Sequence, residues 1–158
     1  MRNILMRLGF AALTCVVAIG CDPGGPGAEG TISLDSGVDA TGYATLELRA
    51  IPEPEAGFDV ASGVPADGEL YVMSHDIAEV EFPYGYLIGG GVGTTEFKHW
   101  RVLAWLAEAE STDVPAEGPA SGEWYGTTQF VVDECGGAFG DYCSITNGVD
   151  FTIDTQAP

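Results

Sequence analysis

From Tyr43 to Ile51 the side chains alternate without a break. Ala44, Leu46, Leu48 and Ala50 fall on one face, and Tyr43, Thr45, Glu47 and Arg49 on the other. A period of two belongs to a half-buried β-strand, because successive side chains leave opposite sides of the pleat. The run that follows, Pro52-Glu53-Pro54-Glu55-Ala56-Gly57, cannot continue a central strand. The rest of the chain repeats this grammar of short apolar or alternating segments closed by turn residues.

Thr31 to Leu34 reads as a brief strand, with a turn from Asp35 to Gly42 after it. Glu69 to Ser74, Ile77 to Phe82 and Tyr84 to Ile88 read as further strands. Gly89-Gly90-Gly91-Val92-Gly93 reads as a flexible connection. Residues 97–109 fit two periods. Phe97, Trp100, Arg101, Ala104 and Trp105 share a helical face, while Trp100, Val102, Ala104 and Leu106 also alternate. Aromatic and branched residues favour a strand, and no good helix cap precedes the segment, so a long strand is expected. Ser111 to Gly122 reads as a loop, Trp124 to Val132 as a strand and Asn147-Gly148 as a turn. Val149, Phe151 and Ile153 close the chain as a last strand. Seven or eight short strands predict an all-β domain over residues 31–158, a single antiparallel β-sandwich of immunoglobulin-like or prealbumin-like type.

The N-terminus follows different rules. Arg2 and Arg7 precede an apolar run from Leu8 to Ile19, and Gly20-Cys21 is followed abruptly by Asp22-Pro23-Gly24-Gly25. A basic start, a short apolar middle and small residues before the cut make a secretory signal over residues 1–20. The run of 12 residues is short of the ~20 that span a bilayer as a helix. Ala18-Ile19-Gly20-Cys21 resembles the lipobox of bacterial lipoproteins. The resemblance implies cleavage between Gly20 and Cys21, lipidation of Cys21, with palmitate-type acyl chains, and anchoring in the cell envelope. The membrane is the inner or the outer one, with the domain in the periplasm or at the cell surface. Residues 21–30, with four glycines and two prolines, read as the lipidated cysteine and a flexible tether.

With the signal removed, three basic residues (Arg49, Lys98, Arg101) stand against 24 acidic ones, a side-chain charge of −21. Phosphates would be repelled, which argues against a nucleic-acid partner and against lying flat on anionic lipid. The acidic residues are dispersed, and 16 aromatic residues in the whole chain, all but Phe10 after the signal, argue for a packed core rather than a disordered tail. Cys15 leaves with the signal and Cys21 takes the lipid. Cys135 and Cys143 remain as an even pair in an oxidising compartment, so a disulfide between them is expected.

No catalytic constellation stands out. His75 and His99 are the only histidines, and neither Ser74 nor Ser144 sits in a nucleophile elbow. Asp35 and Asp39, with Gly37 and Gly42, lack the ligand spacing of a calcium loop and read as a turn. Asp133, Glu134 and Asp141 flank or occupy the expected disulfide loop and are weak candidates for a calcium site, the one cofactor considered. Trp100, Trp105, Trp124, Tyr84, Tyr86 and Tyr125 read as core, with an aromatic binding face as the alternative. The strand order from Trp100 to Asp154 resembles, loosely, the prealbumin-like or carboxypeptidase-regulatory-like sandwich of bacterial surface lipoproteins. That resemblance implies an accessory role and no catalytic residue. The expectation is a non-enzymatic envelope lipoprotein. Its partners are the bilayer, through Cys21, and a protein or glycan. A calcium-dependent binding module and a secreted hydrolase are the alternatives.

Overall fold

The computed structural model describes residues 26–52, 71–92, 97–108, 118–132 and 142–158. Eleven strands are described: β1 (Gly27–Leu34), β2 (Thr45–Pro52), β3 (Tyr71–Asp76), β4 (Tyr84–Gly89), β5 (Gly91–Val92), β6 (His99–Ala107), β7 (Trp124–Val131), β8 (Tyr142–Cys143), β9 (Ile145–Asn147), β10 (Phe151–Ile153) and β11 (Thr155–Gln156). β1 lies between β4 on one side and β9 and β10 on the other. A five-stranded antiparallel sheet has the order β11-β7-β6-β2-β3. β5 and β8 form a small separate pair. No α-helix occurs among the described residues, and the protein is an all-β sandwich.

The core lies between the two main sheets. Ala28, Ile32, Tyr86 and Ile88 from the first sheet meet Leu46, Leu48, Ala50, Trp100, Val102, Ala104, Leu106 and Phe130 from the second. Trp100 stacks obliquely on Phe130, with ring centroids 6.3 Å apart. Each fully buried large apolar side chain contributes roughly 1.5–3 kcal/mol over leaving it in water.

The alternation of Trp100, Val102, Ala104 and Leu106 is that of β6, so residues 97–109 contribute a strand. Their competing helix-like stripe has a physical cause. Leu103, Trp105 and Ala107, on the opposite face of β6, are also buried and cluster with Ile51. A strand buried on both faces loses its polar alternation.

Several expectations need correction. The first sheet is mixed rather than wholly antiparallel, because β1 runs parallel to both β9 and β10. The first strand begins at Gly27, so Gly27 to Gly30 belong to the sandwich instead of the tether. Glycine serves packing there. A Cβ on Gly30 would collide with the Val149 carbonyl oxygen, and Val149 donates its N–H to Glu29 at 3.1 Å. Ile77 to Phe82 is no strand. Asp76 caps a single 3-10 turn over Ile77–Glu79 by accepting from the Ala78 N–H at 2.9 Å. Within the glycine run, Gly91 and Val92 pair with Cys143 and Tyr142, so part of that connection is a strand. The turn expected at Asn147-Gly148 is instead a break between two strands that continue in one direction: β9 and β10 both run parallel to β1 along one edge, with Gly148 at φ +73° between them.

Candidate functional site

A buried ion pair lies on the outer face of the five-stranded sheet. In β2, a period of two carries Thr45, Glu47 and Arg49 to the side away from the core. The register sets Glu47 opposite Ser74 on β3 and opposite Trp105 on β6. Glu47 Oε1 accepts from Thr45 Oγ1 at 2.9 Å and from Ser74 Oγ at 2.5 Å. Its Oε2 accepts from Arg49 Nη1 at 3.1 Å. The same Nη1 donates to the Leu48 carbonyl at 2.9 Å, and the guanidinium carbon lies 4.8 Å from the centre of the Trp105 ring. Burial pulls the Arg49 guanidinium below its ordinary value, and the Glu47 carboxylate opposes that shift. Arg49 Nε finds no partner among the described residues.

This arrangement holds charge in place. Both Glu47 oxygens are occupied, so the carboxylate offers little to a substrate as a general base. Beside it, Tyr43, Thr45, Ser74, Asp76, Ile77 and Ala78 line a half-open hollow of about 500 Å³. Partial burial, then Glu108 and Glu123, push the Tyr43 phenol upward from its ordinary value. Glu123 is itself buried and accepts from the Glu108 N–H at 3.0 Å and the Ala120 N–H at 2.8 Å.

A second, shallower hollow of about 490 Å³ lies on the outside of the first sheet, bordered by Glu29, Thr31, Gly85, Leu87 and Asp150. Asp150 Oδ1 accepts from the Thr31 N–H at 2.8 Å. Beneath, the Tyr86 hydroxyl donates to the Val149 carbonyl at 2.6 Å. Burial raises the Tyr86 phenol far above its ordinary value, with Asp150 adding to the effect.

The candidates drawn from sequence are dispersed. Ser74 and His75 are consecutive in β3 and face opposite sides of the sheet. Ser74 donates to Glu47, while His75 Nε2 lies 3.1 Å from the Tyr84 hydroxyl on the other side. They do not form a nucleophile–base pair. His99 and Ser144 are both exposed, and no hydrogen bond joins them among those of the described residues. Asp35 Oδ1 accepts from Gly37 N–H at 3.1 Å, and Asp39 Oδ1 from Thr41 N–H at 2.9 Å, which makes both local turn-formers. The Thr41 N–H draws the exposed Asp39 carboxyl below its ordinary value. No group of three or more potential metal ligands occurs among the described residues. Gly20, Cys21, Asp133, Glu134, Cys135 and Asp141 lie outside the described residues. Cys143 packs into the core.

The aromatic residues do not gather on one surface. Trp100 and Tyr86 fill the space between the sheets, whereas Trp105 is buried on the opposite face of β6 with Tyr125 packed against its cluster.

Sequence reasoning placed Glu47 and Arg49 on a solvated face and so missed the buried pair. One signal was present: Arg49 is among only three basic residues after Cys21 and stands one strand period from an acid. No protein-family model, curated protein or solved structure matches the chain.

Proposed function

We propose that the chain is a lipid-anchored protein of the cell envelope whose sandwich is a non-enzymatic binding or structural module. The observation that carries this reading is Cys21. It directly follows a signal-like stretch and stands five residues before Pro26 and six before Gly27, where the packed domain begins. Acyl chains on Cys21 would hold the sandwich close to a bilayer. The prealbumin-like resemblance agrees with an accessory role. The dispersed histidines and the saturated Glu47 carboxylate favour a module over a hydrolase. Cys135 and Cys143 are read as a disulfide pair, supported by the bonded state of the Cys143 sulfur.

The test is Cys21→Ser in the native host, followed by fractionation and metabolic labelling with a palmitate analogue. The wild-type chain should carry label and sediment with membranes. The variant should lose both properties. A variant that stays tightly bound to membranes would overturn the anchor.

A further inference from the structure

Four large apolar side chains stand exposed among the described residues: Leu87 at 47 %, Phe97 at 41 %, Val131 at 37 % and Ile145 at 39 %. Exposed apolar residues scattered singly over a surface need no explanation, but several gathered at one end of a fold call for one. These four share one end of the sandwich. Ile145 pairs with Gly27, the first residue of β1, and Leu87 pairs with Glu29. Thr146 pairs with Ala28 and donates its hydroxyl to the Val131 carbonyl at 3.1 Å, which brings the end of β7 beside the start of β1. Val131 in turn pairs with His99. Two residues before His99, Phe97 sets its ring edge-on to Trp100. Leu87 alternates with the inward-facing Tyr86 and Ile88, and Val131 with the inward-facing Phe130 and Val132. The two therefore project from opposite sheets, and the group forms a collar around the tip rather than a patch on one face.

We propose that this tip rests in the bilayer interface, with Leu87, Phe97, Val131 and Ile145 in contact with lipid. The proposal rests on the reading of Cys21 as the lipid anchor. Only Asp22 to Pro26 separate Cys21 from Gly27. Fully extended, that stretch reaches at most about 20 Å. β1 then runs roughly 25 Å away from its first residue, so the collar is the end of the domain that the anchor holds down. Lys98, the one exposed basic residue after Cys21 among the described residues, is at this end too. A lysine there lays its stem on apolar surface and offers its ammonium to headgroup phosphates. The side-chain charge of −21 after Cys21 opposes anionic lipid, so the contact is one with a zwitterionic surface.

The test uses the full, exported chain reconstituted into phosphatidylcholine vesicles with and without doxyl-labelled lipid. Mass spectrometry of the N-terminal peptide first establishes whether Cys21 is acylated. Single fluorophores are then attached in Leu87→Cys, Val131→Cys, Ile145→Cys and, at the opposite end, Ala78→Cys. The expected result is quenching by doxyl lipid at least threefold greater at 87, 131 and 145 than at 78. L87S/I145S should weaken quenching at 131 while leaving the near-ultraviolet dichroism unchanged. Equal quenching at all four positions in an acylated chain would overturn the proposal and leave the anchor standing. So would quenching at 87 and 145 without 131, the mark of one sheet lying flat. A chain without acyl groups on Cys21 would overturn the anchor and the docking with it.

Discussion

Glu47 and Arg49 project from the same face of one strand and form an ion pair at 3.1 Å, each side chain only 1 % exposed. The pair is built within β2 and completed from outside it, by Ser74 on β3 and the Trp105 ring on β6. Taking two charges out of water costs several kcal/mol for each ion, and their attraction repays this only when the remaining polar atoms are also satisfied. Breaking the pair should therefore hurt more than removing it. Arg49→Met leaves the carboxylate buried without its cation and is expected to cost about 3–5 kcal/mol. Glu47→Leu combined with Arg49→Met should cost clearly less than Arg49→Met alone. Urea denaturation of the three chains decides the matter. A single variant within about 1 kcal/mol of wild type would mean the pair is solvated.

Glu123 ties the two ends of the 109–119 connection together through the Glu108 and Ala120 amides. In Glu123→Gln only one of the two side-chain atoms remains an acceptor, so one amide loses its partner. The expected loss is about 1–3 kcal/mol. Hydrogen exchange should quicken at Glu108 or Ala120 well before it does so in β6. Unchanged exchange at both amides would show that the carboxylate is not the clasp.

Gly30 touches the Val149 backbone so closely that an added methyl group has no room. Gly30→Ala should force β1 away from the segment joining β9 to β10 and cost about 1–3 kcal/mol. Gly85, on the neighbouring strand, is different: a methyl group added there would meet nothing within 4 Å. Gly85→Ala is therefore the control, with an expected effect within about 0.5 kcal/mol. Equal thermal midpoints for the two variants would contradict the close packing of Gly30.

Tyr86 supplies a pH dependence. Its phenol is raised in the folded chain by burial and then by Asp150. In the unfolded chain it ionises near pH 10. Above that pH the unfolded state binds fewer protons than the native one, so stability falls as pH rises. The stability tied to Tyr86 is fully present below pH 10 and is lost from there toward the higher folded value. Tyr86→Phe should be less stable at pH 7, having lost the hydrogen bond to Val149, and should show a shallower decline above pH 10. A decline equally steep in both chains would assign it to other groups.

Strand positions were legible where the cause is local. Alternation in residues 43–51 and in 100–106 reports a pleat with one apolar face, and that depends only on neighbours in the chain. The same reasoning erred where burial on the second face decided the environment. Glu47 and Arg49 look solvated from within β2, and Ser74 and Trp105 are brought against them from other strands. Gly27 to Gly30 look like a tether for a similar reason. Glycines carry no side-chain signal, and close approach to Val149 is a property of the folded chain.

By itself the sequence determined the all-β class, the positions of most strands and the strongly acidic composition. These follow from periodicity, turn residues and charge, all of which are read along the chain. Tertiary structure decided that β1 inserts between β4 and the parallel β9 and β10, that an ion pair is buried on the outer face of the second sheet, and that Leu87, Phe97, Val131 and Ile145 share one end. Each depends on residues tens of positions apart being brought together by pairing and packing, and no local pattern carries that information.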